Sequence, residues 1–297
     1  MKKPGHLVIV GGAEEREGDM PVLQRFVELL PQGQGPVLVL TAATEEPEEM
    51  WKIYRRGFHE IGVKRVEALH VDQRDQANDA ELYEKVRQAR GVFMTGGDQK
   101  KLLALVSGTR LCEAMRESYI ERGICIGGTS AGASAMSEHM LGHMASGESP
   151  ITTDVSLVVG LGFVLNAVID QHFSERGRLS RLLAVVAHNP KLIGVGIDEN
   201  TALVVSRGRG IEVIGAGAVT LVDGREMRTR IVGEDDKQVF QATDVRVHLL
   251  PAGGGFIAAH PNTKAELVNG DVSPHVQALV QLLAGKDAVD TQFRTDD

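Results

Sequence analysis

The 297-residue sequence is poor in cysteine, in aromatic residues and in long apolar runs. Two cysteines, Cys112 and Cys125, are too few for a disulfide framework, so we expect a reduced, cytoplasmic protein. Aromatic residues make up 4% of the chain, and aliphatic side chains must therefore fill the core. No run approaches the roughly 20 apolar residues of a membrane span, and the apolar stretch before Gly11 is too short for a signal peptide.

The charge balance is acidic, with 40 Asp and Glu residues against 32 Lys and Arg residues and a formal net charge of −8. This sign argues against nonspecific nucleic-acid binding and suits a cationic substrate. Hydrophobic residues make up 42% of the chain, which is enough for a sizeable core. Composition therefore indicates a soluble globular protein of enzyme size.

Short apolar segments alternate with amphipathic segments over the first 200 residues. The strand-like segments are residues 7–10, 37–40, 66–71, 92–95, 124–126, 167–169 and 192–197. This alternation predicts an α/β fold with a doubly wound, mostly parallel sheet and helices on both faces. Functional sites in such sheets lie beyond the carboxyl ends of the strands.

The character of the chain changes after residue 200. Strand-like segments at residues 201–205, 211–214 and 219–222 are separated by glycine-rich turns and predict extra antiparallel strands. Residues 274–284 predict a terminal helix, and residues 291–297 a frayed tail. We expect residues 1–297 to form one α/β domain, with the motifs within residues 11–202 and a β-rich extension over about residues 203–297.

The segment Gly128-Thr129-Ser130-Ala131-Gly132 has the Gly-x-Ser-x-Gly pattern of a nucleophile elbow. Small residues around a serine allow a strained turn that exposes the hydroxyl beyond the end of a sheet. A strand-like segment precedes the motif, and residues 131–141 have helix-forming composition. A turn that cradles a phosphate, or one that is merely tight, has similar glycines. The flanking strand and helix favour Ser130 as a nucleophile.

A serine nucleophile needs a base, and the base needs an acceptor that orients it. His172 follows a strand-like segment, which brings it to the same sheet edge as Ser130, although an ordinary loop histidine could stand there too. His139 is predicted to lie further along the helix after Ser130, pointing away. Asp198 and Glu199 both follow another strand, and their positions do not choose between them. The order serine, histidine, acid argues against an α/β-hydrolase.

Backbone N–H groups at two turns are candidates for an oxyanion hole. Gly97 follows the strand-like segment 92–95, and Ala131 follows the candidate nucleophile. Two such donors at the carboxyl edge of a sheet stabilise the charge of a tetrahedral intermediate. The Gly97 segment also reads as the start of a helix capped by Asp98.

Three arginines lie within six residues beside His172, at Arg176, Arg178 and Arg181. Their planar guanidinium groups suit the recognition of carboxylates. A solvated helix face is the alternative reading of such a cluster. Arg178 in particular is expected to face solvent, because residues two apart on a helix point to different sides.

Taken together, these segments resemble the cyanophycinases, relatives of the aspartyl dipeptidase (dipeptidase E) serine peptidases. The resemblance rests on Gly11-Gly12-Ala13-Glu14, Gly96-Gly97-Asp98-Gln99, Gly128-Thr129-Ser130-Ala131-Gly132-Ala133, Asp170-Gln171-His172-Phe173, residues 176–181 and Asp198-Glu199-Asn200-Thr201-Ala202. It implies a fold of the class I glutamine-amidotransferase type. It also implies an exopeptidase that cuts cyanophycin, a poly-aspartate whose side chains carry arginine, into β-Asp-Arg dipeptides.

The resemblance also implies roles for individual residues. Ser130 is then the nucleophile, His172 the base and Glu199 the acid. The residues that would shape the substrate pocket are Gln99, Asp170, Gln171, Arg176, Arg178 and Arg181. No cofactor, metal, nucleic acid or membrane partner is expected, and we expect a homodimer although the residues do not fix the oligomeric state. The alternatives are an aspartyl dipeptidase with another substrate and an inactive, amidotransferase-like binding protein.

Overall fold

The computed structural model describes residues 5–143, 155–233, 239–254, 256–258 and 273–285. The strands of these ranges are β1 (His6–Val10), β2 (Val37–Leu40), β3 (Val66–Leu69), β4 (Gly91–Met94), β5 (Cys125–Thr129), β6 (His139–His143), β7 (Ser156–Val159), β8 (Ala167–Gln171), β9 (Ile193–Ile197), β10 (Thr201–Ser206), β11 (Gly210–Gly215), β12 (Ala218–Asp223), β13 (Arg228–Val232), β14 (Val239–Thr243), β15 (Arg246–Pro251) and β16 (Phe256–Ala258). The predicted tail at residues 291–297 lies outside the described residues.

Eight α-helices accompany these strands in the described ranges. They are α1 (Pro21–Glu28), α2 (Pro47–Glu60), α3 (Ala80–Gln88), α4 (Gln99–Val106), α5 (Arg110–Glu117), α6 (Ala131–Ala135), α7 (Leu179–His188) and α8 (Pro274–Ala284). Asp98 caps α4 by accepting from the backbone nitrogen of Lys100 at 2.7 Å. None of the described helices is long and apolar enough to cross a membrane.

The larger sheet has eight strands in the order β16-β11-β10-β1-β5-β4-β2-β3. The five strands from β1 to β3 in this order are parallel, while β10, β11 and β16 continue the sheet in antiparallel fashion. The predicted α/β class is therefore confirmed, together with extra antiparallel strands from the C-terminal part. The division of the chain into domains stays a prediction.

Strand β1 lies in the middle of this sheet and is buried on both faces. Leu7 and Ile9 belong to one hydrophobic cluster, and Val8 and Val10 to the cluster on the other side. Its last residue, Val10, pairs with Thr129 of β5 on one side and with the start of β10 on the other. The elbow after β5 and the turn before β10 therefore flank the end of β1.

Two of the seven strands expected in one parallel sheet belong to a second sheet. Strands β8 and β9 pair in parallel there, in the order β15-β12-β9-β8. Apolar periodicity identifies a buried strand but not its partner, which explains the difference. The two sheets are nevertheless connected where the motifs lie, because His172 donates its backbone N–H to Gly11 O at 2.7 Å.

The helix after Ser130 is much shorter than the predicted span of residues 131–141. Helix α6 ends at Ala135, and His139 begins strand β6 instead of continuing the helix. The carbonyls that a longer helix would need are taken by another segment: Leu161 N donates to Ala135 O at 2.7 Å, and Phe163 N donates to Met136 O at 2.8 Å. Composition favoured a helix here, and tertiary pairing overrode it.

Candidate active site

Ser130 stands on a sharp turn between β5 and α6. Its backbone has φ 51° and ψ −108°, a region that non-glycine residues seldom occupy. Both glycines of the motif are required sterically, because a Cβ at Gly128 would lie 2.7 Å from Gly132 C and one at Gly132 would lie 2.6 Å from Met94 O. The strand–turn–helix expected of a nucleophile elbow is therefore present around Ser130.

The three residues expected to act together are in hydrogen-bond contact. Ser130 Oγ lies 3.0 Å from His172 Nε2, and His172 Nδ1 lies 2.5 Å from Glu199 Oε1. A carboxylate can only accept, so Nδ1 carries the proton towards Glu199 and leaves Nε2 free to accept from the serine hydroxyl. This geometry allows His172 to act as a general base on Ser130, the role that the sequence predicts.

The imidazole of His172 is held by backbone groups at the end of β1. His172 has φ 47°, and its ring packs directly on Gly12, which has φ 101°. A Cβ at Gly12 would lie 2.3 Å from His172 Cε1, so only glycine leaves room for the ring. Sequence reasoning gave Gly12 no role of its own, and the structure shows that its missing side chain makes room for the His172 ring.

Asp198 and Glu199, which the sequence left open, have different contacts. Asp198 Oδ1 accepts from Ser174 N at 3.1 Å, and its Oδ2 accepts from Ala218 N at 3.0 Å. These bonds occupy both oxygens of Asp198 with backbone groups. Glu199 is the carboxylate that contacts His172, as the family resemblance implied.

The turn predicted to supply an oxyanion donor lies against the serine. A Cβ at Gly96 would be 3.5 Å from Ser130 Cβ. Gly97 has φ 140°, and a Cβ there would lie 2.2 Å from Ala43 O, so the conformation and the space both require glycine. Ala131 follows Ser130 as the first residue of α6. The oxyanion roles of Gly97 and Ala131 stay predictions.

Asp170 forms a buried ion cluster with two of the three arginines. Its carboxylate, 2% exposed, accepts from Arg178 Nη1 at 3.0 Å and from Arg181 Nε at 2.8 Å, with a further bond from Arg181 Nη2. Arg178 Nη1 also donates to Gln171 O at 2.5 Å. Burial lowers the pKa of Arg178, and the Asp170 carboxylate opposes that shift.

The expectation that Arg178 faces solvent is therefore wrong. Its side chain is only 13% exposed, because Arg178 precedes α7 and turns inward towards the end of β8. Arg176 is the exposed member of the three and pairs with no acidic side chain among the described residues.

The two glutamines that were predicted to shape the substrate pocket have different contacts. Gln99 Nε2 donates to Leu141 O at 2.6 Å, which ties the start of α4 to β6. The side chain of Gln171 is buried, and its Oε1 has no hydrogen-bond partner among the described residues. Substrate contacts by either residue stay predictions.

Sequence reasoning also missed Glu14 and Asn200. Glu14 is buried and accepts from Thr129 Oγ1 at 2.5 Å, and Thr129 directly precedes Ser130. Asn200 has φ 46° and exchanges hydrogen bonds with Glu15. Asparagine tolerates left-handed backbone better than most residues, which was the available signal for Asn200. For Glu14 nothing but its place in a quoted motif pointed to a role.

A serine bonded to a histidine that is bonded in turn to a carboxylate, on a strand–turn–helix in an α/β fold, defines a serine-type hydrolase. The model of peptidase family S51 matches residues 7–214, and the chain belongs to this family. It is 36% identical to a cyanophycinase of Geminocystis herdmanii (strain PCC 6308) over 84% of this chain and 92% of that one. It is 33% identical to a cyanophycinase of Trichormus variabilis over 84% of each chain.

Solved structures share the fold. A peptidase from an acI-B1 actinobacterium superposes with a TM-score of 0.65 at 23% identity, over 86% of this chain and 98% of that one. A putative peptidase E protein from Listeria monocytogenes superposes with a TM-score of 0.50 at 16% identity, over 72% of this chain and 99% of that one. Both support the α/β peptidase fold.

Proposed function

We propose that this chain is a cyanophycinase: a serine exopeptidase that hydrolyses cyanophycin to β-Asp-Arg dipeptides through an acyl-enzyme. The observation that carries the proposal is the hydrogen-bonded series from Ser130 through His172 to Glu199. Relatives named as cyanophycinases at 33–36% identity support the substrate. No observation favours an aspartyl dipeptidase or an inactive binding protein.

In the proposed reaction Ser130 Oγ attacks a main-chain carbonyl carbon of an aspartyl residue while His172 Nε2 takes the hydroxyl proton. Glu199 keeps the imidazole oriented and stabilises its cationic form. The N–H groups of Gly97 and Ala131 donate to the developing oxyanion. His172 then gives its proton to the leaving amine. Water, deprotonated by His172, attacks the acyl-enzyme and regenerates the free serine.

The arginine cluster supports a charged substrate, and its contacts suggest different roles for its three arginines. Asp170 is already engaged by Arg178 and Arg181, so it shapes the pocket by fixing those guanidinium groups. Arg176 is exposed beside His172 and is the arginine available to a substrate carboxylate. Gln99 and Gln171 complete the proposed pocket. Cyanophycin, which carries carboxylate and guanidinium groups, fits such mixed charge.

The deciding experiment is incubation of the purified protein with cyanophycin, followed by mass analysis of the products. We expect β-Asp-Arg dipeptides from the wild type and none from Ser130→Ala, which removes the nucleophile and lowers the rate by several orders of magnitude. Cleavage of Asp-X dipeptides without digestion of cyanophycin would make the chain an aspartyl dipeptidase. A wild type that neither digests a substrate nor reacts with a fluorophosphonate would be a binding protein.

We also infer a cytoplasmic location and a homodimer. The location is supported by Cys112 and Cys125, which are both buried and free. Fractionation of the source cells tests the location. Light scattering of the purified protein tests the dimer, and a mass of one chain would contradict it.

A further inference from the structure

The loop after β1, residues 11–16, contacts the segments of all three triad residues without supplying a reacting atom. Gly11 O accepts from His172 N at 2.7 Å, and Gly12 O accepts from Asn200 N, the residue after Glu199, at 2.9 Å. Glu14 bonds to Thr129, the residue before Ser130. This loop, here called the β1 loop, therefore joins the serine, histidine and carboxylate segments.

Glu14 is the buried anchor of the β1 loop. Its Oε2 accepts from Thr129 Oγ1 at 2.5 Å, its Oε1 accepts from the hydroxyl of Tyr54, and Arg16 Nε lies 3.5 Å from Oε1. The side chain of Glu14 is fully inaccessible to solvent. Burial, followed by the nearby Glu14 carboxylate, raises the pKa of Tyr54 well above its ordinary value, so the phenol stays a donor.

We propose that Glu14 is a positioning residue for the nucleophile: it holds Thr129, and with it the strained backbone of Ser130, at hydrogen-bond distance from His172. The inference builds on the proposed serine chemistry. The carboxylate accepts from hydroxyl groups on β5 and on α2, which joins the elbow to the helix layer. Ser130 occupies a backbone region that only surrounding contacts can maintain.

An alternative reading is that Glu14 only stabilises the fold. The geometry argues for more, because the Glu14–Thr129 bond lies one residue from Ser130 while the same loop supports His172 through Gly11 and Gly12. Loss of this bond would change the position of Ser130 relative to His172. A displacement of about 1 Å can slow a reaction by roughly 100-fold.

The test compares Glu14→Gln with the wild type in three measurements: the rate of reaction with a fluorophosphonate, kcat and KM on cyanophycin, and Tm. The carboxylate accepts from Thr129 with one oxygen and from Tyr54 with the other. An amide has a single accepting oxygen, so it cannot replace both bonds. We expect the labelling rate and kcat to fall about 10- to 100-fold, with KM within about twofold of the wild type.

Two sets of controls separate positioning from stability. Asp223→Asn removes another buried carboxylate, at the end of β12, which pairs with Arg225, and should lower Tm without changing the labelling rate. Thr129→Ser keeps the hydroxyl and should retain most of the labelling rate, whereas Thr129→Val should lose it by the same factor as Glu14→Gln. Combining Glu14→Gln with Thr129→Val should add little further loss.

If a folded Glu14→Gln protein reacts with the fluorophosphonate at the wild-type rate, the proposal is overturned. A labelling rate that falls in Asp223→Asn in proportion to the loss of Tm would also overturn the proposal. If Glu14→Gln does not fold, the Thr129 pair decides, and equal rates for Thr129→Ser and Thr129→Val reject the positioning role. If the wild type itself is not labelled, the proposed nucleophile fails, and the inference fails with it.

Discussion

Asp198 and Glu199 are neighbours on the turn after β9, yet their carboxylates have different tasks. Their side chains leave the turn in different directions, and of the two carboxylates it is that of Glu199 that reaches the imidazole. Glu199 lies 2.5 Å from His172 Nδ1, while Asp198 accepts two backbone N–H groups that hold the surrounding turns. At the scale of the residue, one carboxylate serves the proposed chemistry and the other serves the local structure.

Glu199→Gln should therefore lower kcat by about 10³- to 10⁴-fold, because an amide neither fixes the productive tautomer of His172 nor stabilises its cation. Asp198→Asn should lower Tm and leave kcat closer to that of the wild type. Steady-state kinetics on cyanophycin and thermal unfolding of both variants check the ranking. Greater loss of kcat in Asp198→Asn would reassign the acid.

A second prediction at the scale of the residue concerns His6, whose lowered pKa affects the stability of the protein in acid. Burial, assisted by Arg209 and Arg25, lowers the pKa of His6 from 6.5 to about 4, and its Nδ1 lies 2.9 Å from Ser206 Oγ. The unfolded chain therefore takes up this proton first as the pH falls. His6 reduces the free energy of unfolding progressively from pH 6.5 to about 4, by about 3 kcal/mol in all.

His6→Gln should lack this component of the pH dependence. Denaturant unfolding of the wild type and the variant at several pH values between 7 and 4 measures it. We expect the two stability curves to approach each other, or to cross, as the pH falls below 6.5. Curves that stay parallel over this range would show that His6 is not linked to folding.

At the scale of the element, ion pairs connect the start of helix α7 to strand β8. Arg178 and Arg181, at the start of the helix, both donate to the buried Asp170 near the end of the strand. The strand leads into His172, so this ion cluster lies beside the proposed general base. A buried charge that loses its partners costs far more than an exposed one, because water cannot replace the lost bonds.

Asp170→Asn should lower the free energy of unfolding by about 3 kcal/mol, because it leaves two guanidinium groups without their carboxylate. Arg176→Ala, the exposed control two residues from Arg178 and five from Arg181, should leave stability near that of the wild type and lower kcat/KM on cyanophycin. Denaturant unfolding and kinetics of both variants check this. Equal stability of the two variants would contradict a stabilising role for the ion cluster of Asp170.

At the scale of the whole molecule, the larger sheet separates two hydrophobic clusters, and both cysteines are buried in them. Cys112 belongs to one cluster and Cys125, on the central strand β5, to the other. Burial raises the pKa of both thiols above the ordinary value, so little thiolate forms near neutral pH. The reactivity of these thiols therefore depends on opening of the fold.

Native protein at pH 7.5 should accordingly resist alkylation by iodoacetamide at both cysteines, and denatured protein should react at both. Mass analysis after timed exposure, with and without denaturant, measures the difference. Cys112→Ala and Cys125→Ala provide matched single-thiol proteins that report on each cluster separately. Rapid native alkylation of Cys125 would show that the sheet opens locally at β5.

The sequence by itself determined most of the strands and the elbow on which Ser130 lies. Apolar runs identified strands such as β2 and β9, and the glycines around Ser130 identified the elbow, because these signals depend on local sterics and burial. The terminal helix α8 has the predicted bounds of residues 274–284. The convergence of motifs at strand ends was also predictable, since it follows from the parallel arrangement.

Only the tertiary structure decided which side chains meet. Four features depend on partners distant in the sequence: the contact between Glu199 and His172, the inward turn of Arg178, the early end of α6, and the placement of β8 and β9 in a second sheet. Glu14 is 115 residues from Thr129, and no local pattern encodes that contact. Periodicity records whether a residue is buried, whereas its partner is set by the packing of the whole chain.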